Sequence, residues 1–74
     1  MSRLVRMDQT GHTTLAEWRA GDQAAVEAAR TAFDAELEQG YYGVVSERAG
    51  HAEHVRELPV EASLVIMRRP IAGG

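Results

Sequence analysis

The stretch "DQAAVEAARTAFDAELEQG", residues 22–40, determines the fold class because it predicts one uninterrupted amphipathic helix. It contains six alanines and no proline or internal glycine, a composition that favours helix. Asp22 is a good N-cap residue, and Gly40 stands where glycine commonly ends a helix. Apolar residues recur at spacings of three and four, namely Val26, Ala29, Phe33 and Leu37. We therefore expect the helix to lie on a flat apolar layer, with the acidic run 34–38 on its solvated face.

Two strands are predicted before the helix. Residues 3–7, "RLVRM", are the first, and residues 13–18, "TTLAEW", are the second, because threonine and bulky apolar side chains favour extended structure. Gly11, within the polar residues between them, indicates a tight turn with a residue at positive φ. The two strands are expected to pair as a hairpin. Trp18 is expected in the core or at its rim, with an exposed partner-binding position as the alternative.

Three further strands are predicted after the helix. They are residues 41–47, "YYGVVSE", residues 54–58, "HVREL", and residues 62–68, "ASLVIMR". The last is a continuous apolar run with β-branched residues, which is typical of a strand buried on both faces. Of the two adjacent tyrosines, Tyr41 and Tyr42, we expect one to pack under the helix and the other to face water.

These elements predict one small α+β domain. The order is strand, strand, helix, strand, strand, strand, which gives a mixed four- to five-stranded sheet with one amphipathic helix packed across a face. We assign residues 1–70 to this domain and residues 71–74 to a flexible tail. The 74-residue chain lies near the lower size limit for independent folding, so its core is expected to be modest.

Composition argues against several classes of function. The formal net charge is −3, which argues against a phosphate-binding surface and so against a nucleic-acid partner. There is no cysteine, which excludes a disulfide, a thiolate zinc site and a cysteine nucleophile within the chain. No apolar run approaches the roughly 20 residues of a membrane span, and the first residues lack the pattern of a signal peptide. We expect a cytoplasmic protein with no membrane partner.

The histidines and serines do not form a recognisable catalytic or metal-binding pattern. His51 and His54 are three residues apart, and on the turn or strand expected there their side chains would diverge. Zinc usually requires three or four ligands, so exposed histidines are the default interpretation and no metal site is predicted. Nothing in the spacing of Ser46 and Ser63 relative to the histidines indicates a nucleophile and its base. We do not expect an enzyme.

The stretch "RRPIAGG", residues 68–74, contains the candidate functional residues. Glycine loses more backbone freedom on folding than other residues and packs nothing, so Gly73 and Gly74 do not help a fold. They are either part of a functionless frayed terminus or a functional device. Pro70 either ends the preceding strand or stiffens the start of the tail. Arg68 and Arg69 are either solvated charges at a strand end or contacts for an acidic partner.

The element order within about 75 residues resembles that of the β-grasp fold of ubiquitin. "TGHTTLAEW" followed by "GD", in positions 10–22, resembles the first hairpin of ubiquitin, with a Thr-Gly turn, a Thr-rich strand and an acidic helix entry. "LVIMRRPIAGG", residues 64–74, resembles the last strand and tail of the small sulfur-carrier proteins of thiamine and molybdopterin synthesis. The two matches cover about a third of the chain, and the middle matches by element order alone.

This resemblance implies chemistry at a C-terminal carboxylate. An adenylating (E1-like) partner enzyme would use ATP and Mg²⁺ to activate Gly74, and the chain itself would bind no cofactor. The product would be a thioester, a thiocarboxylate or an isopeptide, formed with a conjugating (E2-like) or sulfur-transfer enzyme and an acceptor protein. Gly73 and Gly74 would be the activated end. The residues expected to dock the tail are Arg68, Arg69, Pro70, Ile71 and Ala72.

A second interpretation keeps the fold and gives the glycines no role. Small β-grasp domains also bind partners without covalent chemistry, through the sheet or an edge strand. The sequence contains no lysine, and all eight of its basic residues are arginine. A coding bias toward arginine explains this; the absence of lysine also fits both a modifier that is not extended into lysine-linked chains and a sulfur carrier. The sequence alone leaves protein tagging, sulfur delivery and non-covalent binding open.

Overall fold

The structure, a computed structural model, describes residues 1–9, 11–48 and 51–69 of the chain. It confirms an α+β domain with a mixed five-stranded sheet and one helix. The predicted tail, residues 71–74, lies outside the described residues, as does Pro70. In chain order the elements are β1 (Ser2–Asp8), β2 (Gly11–Trp18), α1 (Gln23–Glu38), β3 (Tyr42–Arg48), β4 (His51–Val55) and β5 (Leu64–Arg68).

The sheet has the strand order β2-β1-β5-β3-β4, so the last strand of the chain lies in the middle. β1 and β2 are antiparallel, as predicted for a hairpin, and β3 pairs antiparallel with both β4 and β5. β1 and β5 run parallel, with Leu4 opposite Val65 and Arg6 opposite Met67. Because of this parallel pair, the carboxyl ends of β1 and β5 meet at the same edge of the sheet.

Both ends of α1 are capped by the residues that the sequence predicts. An Asp22 carboxylate oxygen accepts a hydrogen bond from the Ala25 backbone N–H at 3.1 Å. Gly40 has φ of 95°, a conformation that suits glycine, and its N–H donates to the Leu37 carbonyl at 3.0 Å. The Tyr41 N–H donates to the Glu36 carbonyl at 3.0 Å. These last two bonds form a Schellman motif, which fixes Tyr41 to the end of the helix.

The core lies between α1 and one face of the sheet. Its largest fully buried side chains are Trp18, Phe33, Leu4, Met67 and Val65. The expectation that Trp18 belongs to the core is confirmed, since it is 1% exposed and its indole N–H donates to the Val60 carbonyl at 2.9 Å. Phe33 lies so close to β3 that a Cβ at Gly43 would be 2.7 Å from its Cε2 atom. Glycine at position 43 therefore allows the helix to approach the sheet.

One predicted strand lies at a different position in the structure. The predicted strand 54–58 is replaced by β4 at His51–Val55, which shares only His54 and Val55 with it. Pairing with β3 sets this position, since Val44 lies opposite His54 and Gly43 opposite Val55. Leu58 lies outside a strand and is nevertheless buried in the core.

The prediction that the last strand is buried on both faces is also wrong. In β5, Val65 and Met67 are buried, whereas Leu64 is 42% exposed, Ile66 is half-buried and Arg68 is exposed. The helix covers one face of the sheet, and alternate residues of a strand point to opposite faces. An apolar run in this central strand therefore places apolar side chains on the face opposite the helix as well.

Candidate functional site

The candidate site is at the carboxyl end of β5, where the predicted tail begins. Arg68 is the last residue of the strand, Arg69 follows it, and both are exposed. The other predicted site residues lie outside the described residues; these are Pro70, Ile71, Ala72, Gly73 and Gly74. The structure thus describes the point where the chain leaves the sheet.

Arg69 and Arg6 both lie against the ring of Tyr41. The guanidinium carbon of Arg6 is 5.8 Å from the ring centroid, and that of Arg69 is 6.0 Å from it. Both distances are within the range of a cation–π interaction. Arg6 lies opposite Met67 in the parallel register, and Arg69 follows Met67 by two residues, which explains why both arginines are on the helix side at the same sheet edge.

Glu36 completes this group from the helix. Its carboxylate is 3.3 Å from a terminal guanidinium nitrogen of Arg6, and its side chain is 6% exposed, compared with 30% for Arg6. The expectation that the whole run 34–38 faces solvent is therefore wrong at Glu36. The residue follows Phe33 by three positions, which places it on the buried side of the helix. We call Arg6, Glu36, Tyr41 and Arg69 the arginine–tyrosine cluster.

One polar atom of this cluster is buried without a hydrogen bond. Within the described part of the chain, Nε of Arg6 makes no hydrogen bond. A buried donor without a partner costs free energy. The ion pair with Glu36 and the contact with the Tyr41 ring are the observed interactions that offset this cost.

Among the described residues, no helix packs on the sheet face opposite α1, and we call it the open sheet face. Val5 lies opposite Ile66 and Ile66 opposite Val44, so these three apolar residues share this face. Val5 and Val44 are buried by their neighbours, whereas Met7, at 44%, and Leu64 are substantially exposed. The face therefore presents an apolar centre, bordered by the exposed charge of Arg68.

The two tyrosines have separate environments, but both are half-buried, so the expectation that one of them faces water is wrong. Tyr41 packs against the hydrophobic core, whereas Tyr42 lies on the open sheet face opposite Arg68. The Tyr42 ring stacks on the imidazole of His54, with 4.9 Å between ring centroids and 15° between ring planes. His54 is exposed, as expected, and within strand β4 it stacks on an aromatic ring.

A shallow cleft lies away from the arginine–tyrosine cluster. It has a volume of about 560 Å³, and its lining includes Val45, Val55, Leu64, Glu53, Glu61 and Ser63. In the described ranges, no three histidine, aspartate or glutamate side chains are close enough together to hold a metal ion. The one helix in this part of the chain lacks the length and hydropathy to cross a bilayer.

Comparison of the chain with protein-family models, curated proteins and solved structures finds no significant match. No family is identified in this way. The class that the structure defines is a small α+β domain with a mixed sheet, and any function has to be argued from its own residues.

Proposed function

We propose that this chain is a small ubiquitin-like carrier or modifier with a β-grasp fold, and that the Gly74 carboxylate is its reactive group. The proposal includes either origin of that carboxylate, the encoded terminus or one exposed by processing. The mixed sheet, the parallel pairing of β1 with β5 and the single helix on one face are compatible with a β-grasp. The resemblance of residues 64–74 to the tails of sulfur carriers provides the chemical hypothesis.

The position of β5 is the observation that carries the proposal. The central strand ends at Arg68, and Arg69, the last described residue, follows it at the carboxyl end of β5. Gly74 comes five positions after Arg69, which limits the reach of its carboxylate to about 17 Å from Arg69. A partner that reacts with Gly74 would therefore also contact the folded domain around Arg68 and Arg69.

The proposed reaction needs no catalytic side chain of this protein. A carboxylate oxygen of Gly74 attacks the α-phosphate of ATP and pyrophosphate leaves, which gives an acyl-adenylate. A sulfur or amine nucleophile then attacks the carbonyl carbon and AMP leaves. The adenylating partner provides ATP, Mg²⁺ and the catalytic groups. Glycine at positions 73 and 74 suits a narrow channel, since a Cβ there would restrict φ and occupy space.

The test compares the full chain with a variant that lacks Gly73 and Gly74. Each is incubated with a candidate adenylating enzyme, ATP and Mg²⁺, and ATP–pyrophosphate exchange and intact mass are measured. We expect exchange with the full chain and none with the deletion variant, while urea unfolding of the two proteins is the same. Equal exchange with both proteins, or none with the full chain across candidate enzymes, would contradict the proposal.

The open sheet face favours a second candidate function, a non-covalent interaction module. Met7 and Leu64 are large apolar side chains left exposed next to buried Val5 and Val44. An exposed apolar area of this kind is a common feature of binding surfaces. In that case a partner would still bind the variant that lacks Gly73 and Gly74, and it would lose affinity for Leu64→Ser. A carrier would instead lose its activity when Gly73 and Gly74 are removed.

A further inference from the structure

We propose that Tyr41 is a positioning residue, which holds Arg69 and so sets where the chain leaves the folded domain. The consequence for tail chemistry rests on the proposed function, while the contact itself does not. The inference also separates two neighbouring arginines: Arg69 is held by the domain, and Arg68 is presented to a partner.

Tyr41 is suited to hold another group because it is itself fixed. Its backbone N–H donates to the Glu36 carbonyl in the helix-ending motif, and its side chain is half-buried against the core. An aromatic ring also loses little conformational entropy in a contact, since it has only two side-chain torsions. The ring is therefore a rigid surface at the edge of the sheet where β5 ends.

The charges of the cluster explain how two arginines share this ring. Two guanidinium groups near one ring repel each other, but Glu36 pairs with Arg6 at 3.3 Å. Arg69 thus approaches an ion pair and an aromatic face rather than an uncompensated cation. One net positive charge remains for the four side chains. Glu36 is in this way required for the position of Arg69, although the two residues are on different elements.

Arg68 lies in a different environment, although it is adjacent in sequence. It is opposite Tyr42 in the β3–β5 register and therefore lies on the open sheet face. Arg69 lies beside Tyr41 on the helix side. Loss of the Arg69 charge should alter the geometry of the departing chain, whereas loss of the Arg68 charge should weaken electrostatic attraction to a partner.

The contact is tested by NMR on the labelled full chain. In the native protein we expect the Arg69 side-chain resonances to be displaced by the ring current of Tyr41. The displacement should disappear in Tyr41→Leu and persist in Tyr41→Phe. Tyr42→Leu, which alters the adjacent ring on the open sheet face, is the matched control and should leave Arg69 unchanged. Arg69 resonances at random-coil positions in the native protein, or unchanged by Tyr41→Leu, would overturn the inference.

The consequence is tested by the kinetics of activation. Tyr41→Leu and Arg69→Gln should each raise KM for the carrier about two- to fivefold, the range of an exposed cation–π contact, with kcat retained. The double variant should be no worse than either single variant, because both remove the same contact. Arg68→Gln should also raise KM, and this increase should become smaller as the salt concentration rises. Additive effects of the first two changes would overturn the positioning role.

The outcomes separate this inference from the proposed function. If the native chain is activated and the KM values of Tyr41→Leu and Arg69→Gln are unchanged, the positioning role is wrong and the carrier function stands. If the ring-current displacement is present but the native chain is not activated, the carrier function is wrong and the contact stands. Should Tyr41→Leu fail to fold, Arg69→Gln tests the same contact from an exposed position.

Discussion

Glu36 and Arg6 form an ion pair across the boundary between helix and sheet, with 3.3 Å between a carboxylate oxygen and a guanidinium nitrogen. The two residues are 30 positions apart in sequence, and the Glu36 side chain is almost completely buried. A buried carboxylate is stable only when it is paired, so each partner depends on the other.

We predict that Glu36→Gln lowers the free energy of unfolding by about 1–2 kcal/mol. The change removes the charge that compensates Arg6 while preserving side-chain size. The expected loss is below that of a fully buried pair because Arg6 is 30% exposed. Urea unfolding measures the difference, and Glu38→Gln, on the exposed side of the helix, is the control, with an expected change within about 0.5 kcal/mol. Equal losses in the two variants would show that the ion pair contributes nothing.

Gly43→Ala should destabilise the domain by about 1–3 kcal/mol because the added methyl group overpacks the core. It would be 2.7 Å from Cε2 of Phe33 and 3.1 Å from a methyl group of Val55. The cost should be smaller in a Phe33→Leu background, where the ring is absent. The measurement is thermal unfolding of Gly43→Ala, of Phe33→Leu and of the double variant.

A matched control for Gly43→Ala is Gly40→Ala. Position 40 has open space around it and φ of 95°, so alanine there is strained by backbone conformation rather than by a clash. Its cost should be the same in the native background and in the Phe33→Leu background. If Phe33→Leu reduces both costs equally, close packing is not the reason for glycine at position 43.

The local features of this fold were predictable from the sequence. The helix and its caps depend on residues within a few positions of one another, and Asp22, Gly40 and the spacing from Val26 to Leu37 are sufficient to predict them. The positive φ of Gly11, 125° at the first residue of β2, is similarly local. Such signals do not depend on contacts between distant parts of the chain, so they can be recognised in the sequence.

The position of β4 could not be predicted from local sequence signals. β4 is an edge strand of five residues, and its described side chains before Val55 are exposed, so it has no apolar alternation to identify it. Its position depends on pairing with β3. The sequence pattern instead favoured residues 54–58, where Leu58 is buried outside a strand.

The candidate site was predictable only in part. The arginines at positions 68 and 69 could be named from sequence, but which of them lies on the helix side follows from the position of β5 in the sheet. The grouping of Arg6, Tyr41 and Arg69 depends on the parallel β1–β5 pair, which joins distant parts of the chain. Glu36 had a detectable signal, because it lies three residues after Phe33 on the apolar stripe.

Trp18→Phe should lower the free energy of unfolding by about 1–3 kcal/mol. The variant loses the indole N–H that donates to the Val60 carbonyl at 2.9 Å, and it leaves a gap at a site that is 1% exposed. The indole hydrogen bond joins the end of β2 to the segment before β5. Amide hydrogen exchange should therefore increase at Ala62, whose N–H donates a hydrogen bond to the Pro59 carbonyl in that segment. Unchanged exchange there would mean that the indole contributes packing alone.

The last prediction compares neighbours in β5. Val65→Ala should cost about 2 kcal/mol, since Val65 is completely buried under the helix. Leu64→Ala removes a larger group yet should change the free energy of unfolding by no more than about 0.5 kcal/mol, because this side chain is 42% exposed on the open sheet face. Urea unfolding of the two variants gives the comparison. A cost for Leu64→Ala equal to that for Val65→Ala would mean that the open sheet face is covered in solution, for example by a second copy of the chain, and sedimentation of the native protein at increasing concentration would then show association.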